Sequence, residues 1–221
     1  MPAKPVIGII GGTGDLGSGL AKRWAAAGYP VVLGSRSRDK AVAAALDLSA
    51  QGGGDVRGDD NSGAARDSDV VVVAVPYASH HPTLTEIRDN VAGKIVIDAV
   101  VPLVPPKVSV VQLPEGGSAA LIAQQLLGSN VRVVSAFHNV GASKLHAGGK
   151  VDCDILVFGD DKSARDMAIE LAGVIGSRGV DGGVLANSAA AEALTSVLIG
   201  INRRYKVDGA GIRITGLAVA G

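Results

Sequence analysis

The chain has 221 residues, 47% of them hydrophobic, and its 21 basic side chains are balanced by 21 acidic ones. Such a length buries a sizeable core, and such a composition excludes a disordered chain. The balanced charge offers no basic surface to a nucleic acid, and no apolar run reaches the roughly 20 residues that span a bilayer.

A single cysteine, Cys153, leaves no internal disulfide to form. It reads as a small packing residue and fits a reducing, cytoplasmic setting. The opening Met-Pro-Ala-Lys runs into an apolar segment at once, so no secretion signal is expected there.

Val6 to Ile10 is a β-branched apolar run suited to a strand buried on both faces. Glycines follow at the spacing Gly12-x-Gly14-x-x-Gly17. From Gly19 to Gly28 the pattern turns helical, with Leu20, Trp24 and Ala27 on one face. Strand, glycine turn and helix in this order form the dinucleotide fingerprint. Gly12 is expected to make the turn, Gly14 to admit a pyrophosphate and Gly17 to let helix and strand pack closely. The helix N-terminus then presents free N–H groups to the phosphates.

Gly28 and Tyr29-Pro30 turn the chain into a second strand, Val31 to Gly34, which completes a βαβ unit. An NAD site carries an acidic residue at the end of this strand, on the ribose 2′-hydroxyl. Ser35 and Arg36 stand there instead. A guanidinium grips a 2′-phosphate in bidentate fashion, a hydroxyl adds one bond, and Lys40 one turn later adds charge. The expected cofactor is NADP(H).

Lys40 to Leu48 reads as a helix, Ser49 to Asp60 as a loop and Asn61 to Asp67 as a short helix. Val70 to Val75 is a central strand, and the C-terminal end of such a strand faces the ligand crevice. Pro76 to Ser79 is therefore expected beside the cofactor. His80 and His81 read as a surface pair opening a helix rather than as metal ligands, because no third ligand is in view. Lys94 to Ala99 forms the next strand and delivers Val100 to Leu103 to the same sheet end. A helix over Ser118 to Leu127 and a strand over Val131 to Phe137 follow, the latter bringing His138 to Ala142 to the crevice. His138 reads equally as a structural histidine and as part of a substrate pocket. Asp154 to Gly159 is a strand, Lys162 to Ile175 a helix, Gly179 to Asp181 a short strand and Asn187 to Arg203 an apolar closing helix. The last is expected to cover the pocket or a dimer partner. The fold class is α/β: a Rossmann-type doubly wound parallel sheet in residues 1–135, with a small C-terminal α/β lobe in residues 136–221 completing the substrate pocket.

Gly-Gly-Thr-Gly-Asp-Leu-Gly (11–17), Gly-Ser-Arg (34–36) and Val-Ser-Ala-Phe-His-Asn-Val (134–140) together resemble the NADPH-dependent F420 reductases, or F420:NADP oxidoreductases. Phe158 to Asp161, Leu185 to Ser188 and Gly211 to Ile214 extend the likeness over essentially the whole chain. The resemblance implies hydride transfer between nicotinamide C4 and C5 of the deazaflavin F420. It implies Thr13, Gly14, Asp15 and Leu16 on the phosphates, and Ser35, Arg36 and Lys40 on the 2′-phosphate. Ser79, Val101 and Ala142 fall nearer the nicotinamide, and His138 and Val140 fall in the deazaflavin pocket. No residue is assigned as catalytic acid, base or nucleophile, because stacking two rings at reacting distance suffices. Asp15 replaces an asparagine common in that family, Gly141 a proline, and Ala78 to His81 a tryptophan-containing segment. An NADPH reductase of a flavin, quinone or imine, or a non-catalytic NADP(H) sensor, also accommodates these residues.

Overall fold

The computed structural model describes residues 3–52 and 54–217. The first two residues of the opening stretch, Gly53 of the expected loop and the last four residues of the 136–221 lobe lie outside them.

Eight strands form one sheet in the order β3-β2-β1-β4-β5-β6-β7-β8. β1 (Ile7–Ile10), β2 (Val31–Ser35), β3 (Val56–Asp60), β4 (Val70–Val73), β5 (Ile95–Asp98) and β6 (Arg132–Ser135) are all parallel. Order reverses between β2 and β4 on either side of β1, which opens a crevice at the C-terminal strand ends. β7 (Asp154–Gly159) then pairs antiparallel with β6, and β8 (Arg178–Gly183) runs parallel to β7. The C-terminal lobe thus continues the same sheet.

Each central strand is buried on both faces, as its β-branched run predicts. Side chains alternate between two cores. Ile7, Ile9, Val70, Val72, Ile95 and Ile97 meet α1 (Asp15–Ala26), α2 (Arg38–Ala50), α6 (Ala142–Ala147) and α7 (Lys162–Val174). Ile10, Val71, Val73 and Val96 meet α3 (Asn61–Arg66), α4 (Tyr77–Ile87) and α5 (Ala119–Leu127) on the other face. The closing helix α8 spans Ser188–Tyr205.

Two expectations need correction, and one helix is additional. The Ser49 to Asp60 stretch is not all loop, because Val56–Asp60 adds to the sheet edge in register with Val31–Ser35. α1 begins at Asp15, not Gly19, directly after the glycine turn. A six-residue helix, α6, follows Val140 in a stretch to which the sequence assigned no element. It docks on α1 where Gly19 leaves room for Leu145, whose Cβ lies 2.8 Å from where a Cβ on Gly19 would stand. Arg23 holds the C-terminal end of α6 by donating to the carbonyls of Lys144 (2.8 Å), Leu145 (2.8 Å) and Gly149 (2.6 Å). Among the described residues no helix is long and apolar enough to cross a membrane.

Candidate functional site

The glycine turn works somewhat differently from the expectation for Gly12. Gly11 takes the left-handed conformation, at φ +80°, and Gly12 sits tightly against the strand ends. Its missing Cβ would lie 2.8 Å from the Ile9 carbonyl and 2.9 Å from Leu33. A Cβ on Gly17 would stand 2.6 Å from the Gly11 carbonyl, so this glycine does let helix and loop close on each other. Gly14 is the N-cap of α1 and no side chain caps the helix. Asp15 is the first helical residue, so its carboxylate does not serve as the cap. Its carbonyl instead accepts from His146 Nε2 at 3.0 Å, tying α6 to the fingerprint helix.

A cleft of about 190 Å³ lies at this sheet end, and it brings together Thr13, Gly14, Ser35, Arg36 and Ser79 with Gly11, Asn61 and Pro76. Thr13, Gly14, Asp15, Arg36 and Lys40 are exposed, while Leu16 is half-buried and Gly12 buried. Arg36 and Lys40 have no ion pair among the described residues, whereas neighbouring Arg38 is held by Asp59 at 3.0 Å. Two cations thus remain free for an anion at the end of β2. Val101, His138, Val140 and Ala142 stand outside the walls of that cleft. Val101 and Ala142 are half-buried, and His138 and Val140 are only 5% and 9% exposed.

His80 overturns the surface-pair expectation: it is buried, and its Nε2 lies 2.7 Å from Asp98 Oδ2. Only His81 is exposed. Asp98 ends β5 and is fully buried. Its other carboxylate oxygen accepts from the Val100 N–H at 3.0 Å, and its carbonyl accepts from the Ala136 N–H at 3.2 Å. One residue therefore ties together the α4 turn that carries Ser79, the segment that carries Val101 and the strand end that leads to His138. Such an anchor holds the far end of the crevice rigid. Its position at the carboxyl end of a central strand was the sequence signal that could have marked it.

Phe137 adopts φ +67°, unusual for a bulky residue, and turns the chain so that His138 points inward. The His138 carbonyl accepts from Thr195 Oγ1 at 2.9 Å, while Nε2 lies 3.4 Å from Ser135 Oγ and Nδ1 has no partner. Burial pushes its pKa down to about 4, against the pull of the Asp98 carboxylate. At neutral pH the ring is uncharged.

α8 contributes a buried acid that sequence patterning hid among alanines. Glu192 accepts from the N–H groups of Ala119 (2.7 Å) and Ala120 (3.1 Å) at the start of α5. Burial pushes its carboxyl up to about 7; the two N–H groups oppose the shift, Asp98 adds to it and His80 works against it. Tyr77 also faces it and is itself raised, by burial and then by the Glu192 charge. A folded-state value above the unfolded 4.5 means the acid stabilises the fold fully below that value, with the contribution lost as pH rises through about 7. His138, held down at about 4 from an ordinary 6.5, contributes the opposite slope below about pH 6.5. The slope of urea midpoint against pH in Glu192→Gln should therefore lie above that of the parent between about pH 5 and about pH 7. An unchanged slope in the variant would remove Glu192 as a contributor.

The family model for coenzyme F420-dependent NADP oxidoreductases matches residues 6–102. The chain is 43% identical over 220 residues to the F420-dependent NADP reductase of Methanothermobacter thermautotrophicus, covering 96% of this chain and 95% of that one. It is 41% identical over 223 residues to the F420-dependent NADP reductase of Methanocaldococcus jannaschii, covering 96% and 99%. A candidate F420-dependent NADP reductase from Arthrobacter sp. FB24, solved as a crystal structure, aligns with a TM-score of 0.80 at 23% identity over 95% of this chain and 98% of its own, a likeness of fold.

Proposed function

Because this chain belongs to the coenzyme F420-dependent NADP oxidoreductase family, we propose that its crevice holds NADP(H) on the fingerprint helix and F420 toward His138. The reaction is hydride transfer between NADP(H) and F420, the nicotinamide supplying or receiving the hydride at C4 and the deazaflavin at C5. The observation that carries the cofactor assignment is the pair of unpaired cations, Arg36 and Lys40, beside Ser35 at the end of β2. Thr13, Gly14, Asp15 and Leu16, following buried Gly12, present the start of α1 to the pyrophosphate. The residues fit such a ligand, since Gly14 is exposed in the cleft wall and has no side chain to hold a pyrophosphate off its backbone. The Asp15 carboxylate is turned to no cap and weakens this anion site through its charge.

Ser79, Val101 and Ala142 border the nicotinamide in this reading, and the Asp98 anchor holds the first two at constant separation. His138 and Val140 line the deazaflavin side. A neutral imidazole there orients and packs without transferring a proton, which suits a reaction whose chemistry is hydride movement between stacked rings. No side chain is assigned as acid, base or nucleophile. Residues 1–135 then act as the nucleotide-binding part, and the sheet extension after residue 135 completes the substrate pocket.

A second copy of the chain is the proposed partner of the closing helix. Val197, Ile201 and Tyr205 recur at four-residue spacing on α8 and are 46%, 36% and 69% exposed. Val110 and Val111 are also exposed, in the segment that Arg203 of α8 reaches by donating to Ser109 Oγ. Sedimentation at twice the monomer mass is the expected result, and a cytoplasmic setting suits the reduced Cys153.

Mixing the protein with NADPH and F420 should bleach the deazaflavin absorbance. Turnover with FMN and none with F420 would instead assign a flavin acceptor.

A further inference from the structure

The first residue of α3, Asn61, is buried in the wall of the NADP(H) cleft, and its Oδ1 has no hydrogen-bond partner. The orientation of the amide is settled by its other end. Nδ2 donates to Glu86 Oε2 at 3.2 Å, and a carboxylate can only accept, so the oxygen must point the other way. It points beside Gly34, where a Cβ would stand 3.2 Å from it. A buried carbonyl without a donor is costly, and native folds rarely keep one unless something else satisfies it.

Strand register locates this acceptor along the crevice. Ser35 pairs with Asp60, the last residue of β3, so Asn61 stands one residue beyond the level of Ser35, where the chain leaves the neighbouring strand for α3. That is the end of the cleft carrying Ser35 and Arg36. Phosphates have no hydrogen to give and cannot satisfy Oδ1. With the 2′-oxygen phosphorylated, the donors left on this half of the ligand are the adenine exocyclic amine and the ribose hydroxyl. We propose that Asn61 is a binding residue for the adenosine half of NADP(H), its Oδ1 accepting a hydrogen bond from a neutral donor of that moiety. The proposal rests on the NADP(H) reading of the cleft, and it adds a contact to the base or sugar where Ser35 and Arg36 supply contacts to phosphate.

The test titrates 2′,5′-ADP into the protein and into Asn61→Leu by calorimetry, with a thermal melt of each. Leucine keeps the volume and removes the acceptor. Binding should weaken about tenfold or more. The unliganded variant should melt no lower than the parent, because it no longer buries an unpaired oxygen. A purely structural asparagine would give the reverse pattern, a lower melt with affinity within about twofold, and that result overturns the proposal. Glu86→Ala leaves the cleft intact and frees the amide to rotate, so it should weaken 2′,5′-ADP to a smaller extent. An unaffected ligand in both variants likewise overturns it. If the parent protein binds no 2′,5′-ADP at all, the NADP(H) assignment fails first and the proposal with it. The hypoxanthine analogue of NADPH separates the two donors. Weaker binding than NADPH in the parent but equal binding in Asn61→Leu assigns the amine, and equal binding in the parent assigns the hydroxyl.

Discussion

Arg36→Glu is expected to weaken NADPH binding by about 10²-fold or more while changing NADH binding by less than about threefold. The asymmetry follows from where the charge sits. A bidentate guanidinium–phosphate contact is two charge-assisted bonds, each worth about 1.5–3 kcal/mol, and about 1.4 kcal/mol is a factor of ten. Arg36 is exposed and its field is screened by solvent, which puts the loss at the lower end of that range. Glutamate adds repulsion against the 2′-phosphate but accepts a bond from a free ribose hydroxyl, so NADH is spared. Lys40 remains in the variant and limits the loss. Fluorescence titration of both nucleotides measures the ratio directly. Equal losses for NADPH and NADH would show that Arg36 does not read the phosphate, and the free cations at the end of β2 would need another ligand. Raising the salt concentration should weaken NADPH in the parent more steeply than in the variant.

Those cations were legible in the sequence because they follow a strong local signal, a β-branched strand ending in Gly-Ser-Arg. The same holds for the fingerprint, where strand, turn and helix are contiguous. What escaped depends on partners far along the chain. Val56-Arg-Gly-Asp-Asp has the composition of a loop and becomes a strand because β2 offers it a ladder of backbone groups. His80 looks solvent-facing beside His81, yet Asp98 lies 18 residues on and draws it inward. Asn61 and Glu86 meet across 25 residues, and Glu192 meets the α5 N-terminus across 73. Polar residues that are buried by pairing carry no periodicity of their own, so hydrophobic patterning passes over them. Charge and burial at the crevice are therefore set by contacts that only the assembled sheet creates.

Trp24→Ala should be the most destabilising single substitution considered, at about 3–5 kcal/mol. Trp24 lies on α1 and is fully buried. Its ring meets Phe137 edge-on with centroids 5.6 Å apart, and its Nε1–H donates to the Leu171 carbonyl at 3.0 Å. One side chain thus joins the fingerprint helix to α7 and to the left-handed turn that aims His138. Alanine leaves a cavity among groups that belong to different parts of the sheet, and a helix pinned by Arg23 to α6 cannot collapse freely into it. At about 2–4 °C per kcal/mol for a chain of this size, the melting temperature should fall by roughly 6–20 °C. The loss should appear as a shift of one cooperative transition by far-ultraviolet circular dichroism, since the same contact couples both parts. Trp24→Phe keeps much of the volume and forfeits the N–H, so it should fall between the two. A drop below about 4 °C for alanine would mean that the site relaxes, and a second resolved transition would mean that residues 1–135 unfold apart from the rest. Below the transition, hydride transfer should fall more than NADPH affinity, because Phe137 positions His138 while Arg36 is untouched.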